Sequence, residues 1–119
     1  MSLKVLIIED EGRIGIHIKR AVTSMGHKVL MVVNNSSDAL KIAQKNKIDL
    51  LISDINIEGE VDGIECCSIL QNHYKIPVIF VTAYREINRL KKASNVDFVG
   101  CLEKPFREDE LKTMIKLAI

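Results

Sequence analysis

The sequence predicts an α/β protein: a parallel sheet with helices on both faces. Three observations predict it. Five short runs rich in Val, Ile and Leu alternate with stretches of helical periodicity. Most of those runs are continuously apolar, the pattern of strands covered on both sides. The chain has 119 residues, 47% of them apolar and 28% charged, which suits one ordinary soluble core and leaves no room for a second.

Lys4–Ile8 (KVLII) is the first strand. Residues 11–25 follow as a helix, with Ile14, Ile18, Ala21, Val22 and Met25 on one face and Gly26 as the residue that stops it. Lys28–Val33 (KVLMVV) is the second strand. Asn34, Asn35, Ser36 and Ser37 supply turn and N-cap oxygens, and a helix continues to about residue 46 with Ala39, Leu40 and Ala43 inward. Residues 49–53 (DLLIS) are the third strand, and 55–61 form a loop rich in acid and Gly. Asp62-Gly63 opens a third helix to about residue 73, with Ile64, Cys67 and Leu70 at helical spacing. Pro77 precedes the fourth strand, Val78–Thr82. Residues 86–94 form a short, weakly amphipathic helix with only Ile87, Leu90 and Ala93 apolar. The fifth strand is 98–102, Lys104-Pro105-Phe106 is a sharp connector, and 107–118 is the last helix, with Leu111, Met114, Ile115 and Ala118 at i, i+3, i+4 and i+7.

Lys plus Arg is 17 and Asp plus Glu is 16, a net charge of +1. That balance argues against direct nucleic-acid binding and against disorder. Aromatics at 4%, with no Trp, offer little for base stacking. The longest apolar runs are about five residues, too short for a membrane span, and the N-terminus has no signal-peptide layout. Cys66, Cys67 and Cys101 are odd in number and form no C-x-x-C, so they read as reduced thiols of a cytoplasmic protein. His17, His27 and His73 have no metal-spaced partner and read as surface or edge residues.

Ligands of open α/β sheets bind outside the carboxyl ends of the strands. Glu9 and Asp10 follow the first strand there, Asp54 the third and Lys104 the fifth, while Thr82 ends the fourth. Three carboxylates held together repel one another, and ionising all of them needs a cation. Oxygen-only ligands favour a hard one, and three acids with water suit Mg²⁺. A lysine and a hydroxyl beside the cation make a cradle for a phosphoryl group. An Asp carboxylate is a competent phosphoryl nucleophile. These residues together point to Mg²⁺-assisted phosphoryl transfer to an Asp.

Over its whole length the chain resembles the receiver domain of two-component response regulators. The resemblance rests on Glu9-Asp10, on Asp54 after Leu50-Leu51-Ile52-Ser53, on Asp62-Gly63, on Val81-Thr82-Ala83 and on Lys104-Pro105-Phe106. It implies one receiver domain over 1–119, with a flavodoxin-like, doubly wound (βα)5 fold and strand order 2-1-3-4-5. Asp54 would accept a phosphoryl group from the phosphohistidine of a sensor histidine kinase or a phosphotransfer protein. Asp10 and Asp54 would hold Mg²⁺ (or Mn²⁺), with Glu9 acting through water and Asn56 giving its backbone carbonyl. Thr82 and Lys104 would bind phosphoryl oxygens, and the bond to Pro105 would be cis. The protein would catalyse only its own phosphorylation and dephosphorylation, and would not be a turnover enzyme. With no output module in 119 residues, its signal would leave through the face of the fourth helix, fifth strand and fifth helix, toward a homodimer partner or an effector. A receiver that works by contact, without phosphorylation, is the alternative.

The chain departs from the family pattern at three places. Cys101 stands where receivers usually carry Tyr or Phe, so no aromatic ring can swing inward with Thr82. The signal is then expected to leave by backbone shifts of the fourth helix and the loop before it. Asp54 to Asp62 is one residue longer than the common spacing, with Glu58 where Pro is frequent, and Gly59 is expected to absorb the extra residue at positive φ. The loop resembles that of a receiver subgroup often coupled to sensor kinases or multi-domain regulators. Tyr84 is expected at the mouth of the site, governing water access together with Asn56.

Overall fold

The computed structural model describes residues 2–93 and 95–119. Its strands are β1 (Lys4–Ile8), β2 (Lys28–Val33), β3 (Leu50–Ser53), β4 (Val78–Thr82) and β5 (Gly100–Glu103). Its helices are α1 (Gly12–Ser24), α2 (Ser36–Lys45), α3 (Gly63–Tyr74), α4 (Ile87–Lys92) and α5 (Glu108–Leu117). The strands form one parallel sheet in the order β2-β1-β3-β4-β5.

Alternation along the strands sorts their side chains between two cores. Leu6, Ile8, Leu51, Val78 and Phe80 face one side with Ala39, Leu70 and Leu90 of α2, α3 and α4. Val5, Ile7, Leu50, Ile52, Ile79 and Val81 face the other with Ile18, Val22, Leu111 and Ile115 of α1 and α5. This double covering is why the inner strands read as continuous apolar runs. The edge strand β2 is the exception, with Met31 and Val32 exposed and a register shift opposite Val5 and Leu6.

Helix starts follow their caps. Asn35 takes the Asp38 N–H at 2.8 Å, and Asp62 takes the Glu65 N–H at 2.9 Å. Gly59 has φ 117°, and it sits where the loop after β3 bridges to Asn34 and Ser36 ahead of α2. A Cβ at Gly63 would collide with the Asp54 carbonyl oxygen, so α3 begins against the backbone of the residue that ends β3. The Lys104–Pro105 bond is cis, the isomer the resemblance implies.

Three expectations need correcting. The fourth helix is shorter than 86–94. Tyr84–Glu86 wind into a tight 3₁₀ turn, only Ile87–Lys92 are α-helical, and the extended backbone of Ala93 ends them. Ser94, the expected last residue, lies outside the described residues. The fifth strand begins two residues later than 98, at Gly100. Phe98 owes its apolar character to edge-on packing against Phe80, with ring centroids 5.6 Å apart, rather than to ladder pairing. His27 is buried, not on the surface, because its Nδ1 accepts the Leu3 N–H at 3.0 Å.

Candidate functional site

Ladder hydrogen bonds assemble the site at the carboxyl end of the sheet. The Asp54 N–H donates to the Ile8 carbonyl at 2.9 Å, which sets Asp54 beside Glu9. The Lys104 N–H donates to the Thr82 carbonyl at 2.8 Å, which sets these two side by side across β4 and β5. A cleft of about 110 Å³ lies between them. Asp10, Glu11, Asp54 and Asn56 line one side, and Thr82, Ala83, Arg85, Glu86 and Lys104 the other.

Lys104 is the hub. Its ammonium donates to Asp54 Oδ2 at 2.8 Å and to Glu11 Oε1 at 3.2 Å. Glu9 Oε1 also lies 2.8 Å away, as an ion pair outside hydrogen-bond angles, which leaves that buried oxygen without a directed donor. The second Glu9 oxygen accepts the Glu11 N–H at 3.2 Å. Asp54 Oδ1 accepts the Ile55 N–H at 2.7 Å and, at 3.4 Å, the Asn56 N–H.

Burial and charge set the electrostatics. Burial pushes the Glu9 carboxyl up from its usual 4.5; the Lys104 ammonium pulls it back and the charge of Asp54 pushes it further, leaving it at about 7. Burial alone would lower the Lys104 ammonium, but its hydrogen bond to Asp54, its close ion pair with Glu9 and the charges of both outweigh that, and it is raised. Lys104 is therefore a fixed cation among acids. The Thr82 hydroxyl is fully buried and has no hydrogen-bond partner among the described residues. Such a group is costly unless something arrives to satisfy it.

Carboxylate oxygens of Glu9, Asp10, Glu11 and Asp54 come within 4.8 Å of one another. No nitrogen or sulfur ligand belongs to this cluster, so the donors suit a hard divalent cation such as Mg²⁺. Asp10 is exposed at the cleft and makes no side-chain hydrogen bond or ion pair of its own among the described residues.

The structure thus brings together Glu9, Asp10, Asp54, Asn56, Thr82 and Lys104, all anticipated from strand ends and motif. It does not bring Tyr84 into the cleft. The 3₁₀ turn points Tyr84 outward, 77% exposed, and Arg85 and Glu86 line the wall instead. Cys101 is half-buried on β5 opposite Phe80, outside the cleft lining. Burial, with the charge of Asp54, pushes its thiol up to about 11, so it is a poor redox nucleophile. Glu11, Arg85 and Glu86 were missed. Glu11 carries a signal, since it extends an acidic run at a strand end, but it reads equally well as a helix start.

Known proteins with these features are numerous. The family model of the response regulator receiver domain matches residues 5–116. The phyllosphere-induced regulator PhyR of Methylorubrum extorquens is 31% identical, over 100% of this chain and 44% of that protein. The probable transcriptional regulator ycf29 of Porphyra purpurea is 34% identical, over 98% of this chain and 56% of that protein. The chain therefore spans about half the length of these relatives. Among solved structures, the signal receiver domain of a modulated diguanylate cyclase from Desulfovibrio desulfuricans superposes with a TM-score of 0.91 at 30% identity, covering 100% of this chain and 94% of that one. The receiver domain of PhyR from Erythrobacter litoralis gives a TM-score of 0.87 at 32% identity, covering 98% and 89%.

Proposed function

The chain belongs to the response regulator receiver family, and from that premise we propose that it is a phosphoacceptor switch whose acceptor is Asp54. The observation that carries the reading is the 2.8 Å hydrogen bond from Lys104 to Asp54 Oδ2 inside a cluster of four carboxylates. The donor is the phosphohistidine of a sensor histidine kinase or phosphotransfer protein. An Asp54 oxygen forms the new O–P bond as the P–N bond breaks, and the departing imidazole keeps that electron pair and takes up a proton. Lys104 and the unpartnered Thr82 hydroxyl bind oxygens of the transferred group.

Asp10, Asp54 and the Asn56 carbonyl would hold Mg²⁺, with Glu9 acting through water, and the ion would supply charge neutralisation for the transfer. The protein's own residues do the rest. Lys104 keeps Asp54 oriented, backbone amides of Ile55 and Asn56 hold its other oxygen, and Glu9 adjusts the local charge. The protein catalyses only its own phosphorylation and dephosphorylation, in the cytoplasm. No described helix is long and apolar enough to cross a membrane.

The output leaves through α4, β5 and α5 toward a second copy or an effector. Because Cys101 offers no ring to rotate, the coupling runs through the 3₁₀ turn after Thr82 into α4. Arg89 supports this route, since it pairs with Glu86 at the cleft at 2.7 Å and also with Asp62 at the start of α3. A shift of Glu86 must disturb both pairs. Phosphoryl-analogue and free states that matched throughout 84–98 would remove the route.

Incubation with Mg²⁺ and acetyl phosphate, followed by intact-mass measurement, tests the reading. One added phosphoryl group is expected on the wild type and none on Asp54→Asn. No added mass, beside a competent control receiver, leaves the contact-only alternative standing.

A further inference from the structure

We propose that Arg85 is a leaving-group residue of the cleft: it favours small acyl phosphates as phosphoryl donors to Asp54 by binding the carboxylate that departs. The inference rests on the phosphoacceptor reading above. Two cations line the cleft, Lys104 and Arg85, and their situations are opposite. The Lys104 side chain is 10% exposed and paired with Glu9, Glu11 and Asp54. The Arg85 side chain is 80% exposed and makes no hydrogen bond among the described residues. Its ion pair with Glu86 is long, at 3.8 Å, and the other Glu86 oxygen already accepts from Arg89 at 2.7 Å. The Arg85 guanidinium is thus an uncommitted cation at the rim of an acidic cleft.

The reaction axis runs from floor to rim. Asp54, whose side chain is 6% exposed, attacks from the floor. The attacking and leaving atoms of a phosphoryl transfer lie roughly in line across phosphorus. The leaving group therefore faces the mouth, where Arg85 stands and Tyr84 does not. Donor classes differ in what leaves. From an acyl phosphate, an Asp54 oxygen forms the new O–P bond, the P–O bond to the acyl group breaks, and a carboxylate departs with that electron pair and a full negative charge. From phosphoramidate the P–N bond breaks, and neutral ammonia departs with the pair, its nitrogen already carrying the protons. A guanidinium fork matches a carboxylate in shape and charge and has no such match in a neutral amine. The contact strengthens as charge grows on the departing oxygen, so it favours the transfer and does more than hold the donor.

The test compares two donors on one protein. Second-order labelling rates with acetyl phosphate and with phosphoramidate are read by intact mass at saturating Mg²⁺. In Arg85→Gln the acetyl phosphate rate, divided by the phosphoramidate rate, is expected to fall about five-fold from wild type, the size of one exposed charged hydrogen bond. Labelling by phosphoramidate shows in the same experiment that the variant is folded and its acceptor intact. Lys91→Gln removes an equal charge from an exposed position on α4 outside the cleft lining, and it should leave the ratio unchanged. An unchanged ratio in Arg85→Gln overturns the proposal, and so does an equal fall in Lys91→Gln, which would make the effect a general field of charge. If neither donor labels wild type, the phosphoacceptor reading has failed and the role of Arg85 falls with it. If both donors label wild type and Arg85→Gln in the same proportion, only the inference about Arg85 has failed.

Discussion

The two ends of the sheet treat their polar groups in opposite ways. At the amino end, side chains close onto backbone. Asp49 accepts the Lys4 N–H at 2.8 Å, and His27 accepts that of Leu3. Gln71 accepts the Asp97 N–H and donates to the carbonyls of Asp97 and Ile76. Among the described residues no acidic cluster forms at that end, although the buried Nε2 of His27 has no hydrogen-bond partner. At the carboxyl end four carboxylates cluster, three of them paired with one ammonium, and a buried hydroxyl has no partner among the described residues. The same strands supply both ends, so the contrast is not imposed by topology. Polar groups at one end serve cohesion, and at the other they are held in a frustrated arrangement that a cation and a phosphoryl group would relieve.

Breaking the hub should have the largest effect. Lys104→Met leaves buried Glu9 and Asp54 without their cation and is expected to destabilise the metal-free protein by about 3–5 kcal/mol. Mg²⁺ should restore much of that, as read by urea unfolding with and without the ion. If the loss were small, the carboxyl end would not be under charge stress.

Next comes pH. The Glu9 carboxyl sits at about 7 in the fold against its usual 4.5. A raised acid binds its proton more tightly when folded, so its contribution is fully present below 4.5 and is lost as pH rises through about 7. The metal-free protein should therefore lose stability across that window, and Glu9→Gln should flatten the profile. A profile already flat in wild type would contradict the crowding.

Changes at the amino end should be smaller and silent in function. Gln71→Ala removes a three-point clamp that ties the end of α3 to Ile76 ahead of β4 and to Asp97 ahead of β5, and should cost about 1–2 kcal/mol. Labelling by acetyl phosphate should be unchanged. Asp49→Ala, at a partly exposed position, should cost about 0.5–1 kcal/mol by thermal unfolding. A functional defect in either variant would blur the division between the two ends.

Much of this was legible in the sequence, for identifiable reasons. Strands β1, β3 and β4 are buried on both faces, so their apolar runs have sharp edges. The polar residue after each edge necessarily lands at the same end of a parallel sheet, which is how Glu9, Asp54 and Thr82 could be gathered before any coordinates. Edges failed where packing and pairing separate. Phe98 is apolar because it meets Phe80, and Tyr84 turned outward because a 3₁₀ turn replaced the first helical turn. His27 was misread because its partner is a backbone N–H, which leaves no mark in sequence. Glu11 was passed over because a single acid can begin a helix or bind a lysine, and only geometry separates the two.

The absent side chain at Gly63 has a mechanical consequence. With no Cβ between them, the first turn of α3 rests directly on the backbone that carries Asp54. That junction behaves as a weld, since neither part can slide without the other. The junction on the far side of the cleft is a three-residue 3₁₀ turn leading into a six-residue helix tethered by exposed ion pairs. It behaves as a spring. On the proposed phosphoacceptor reading, a displacement at Asp54 would meet a close-packed wall at α3 and a shorter, more loosely tethered one at α4.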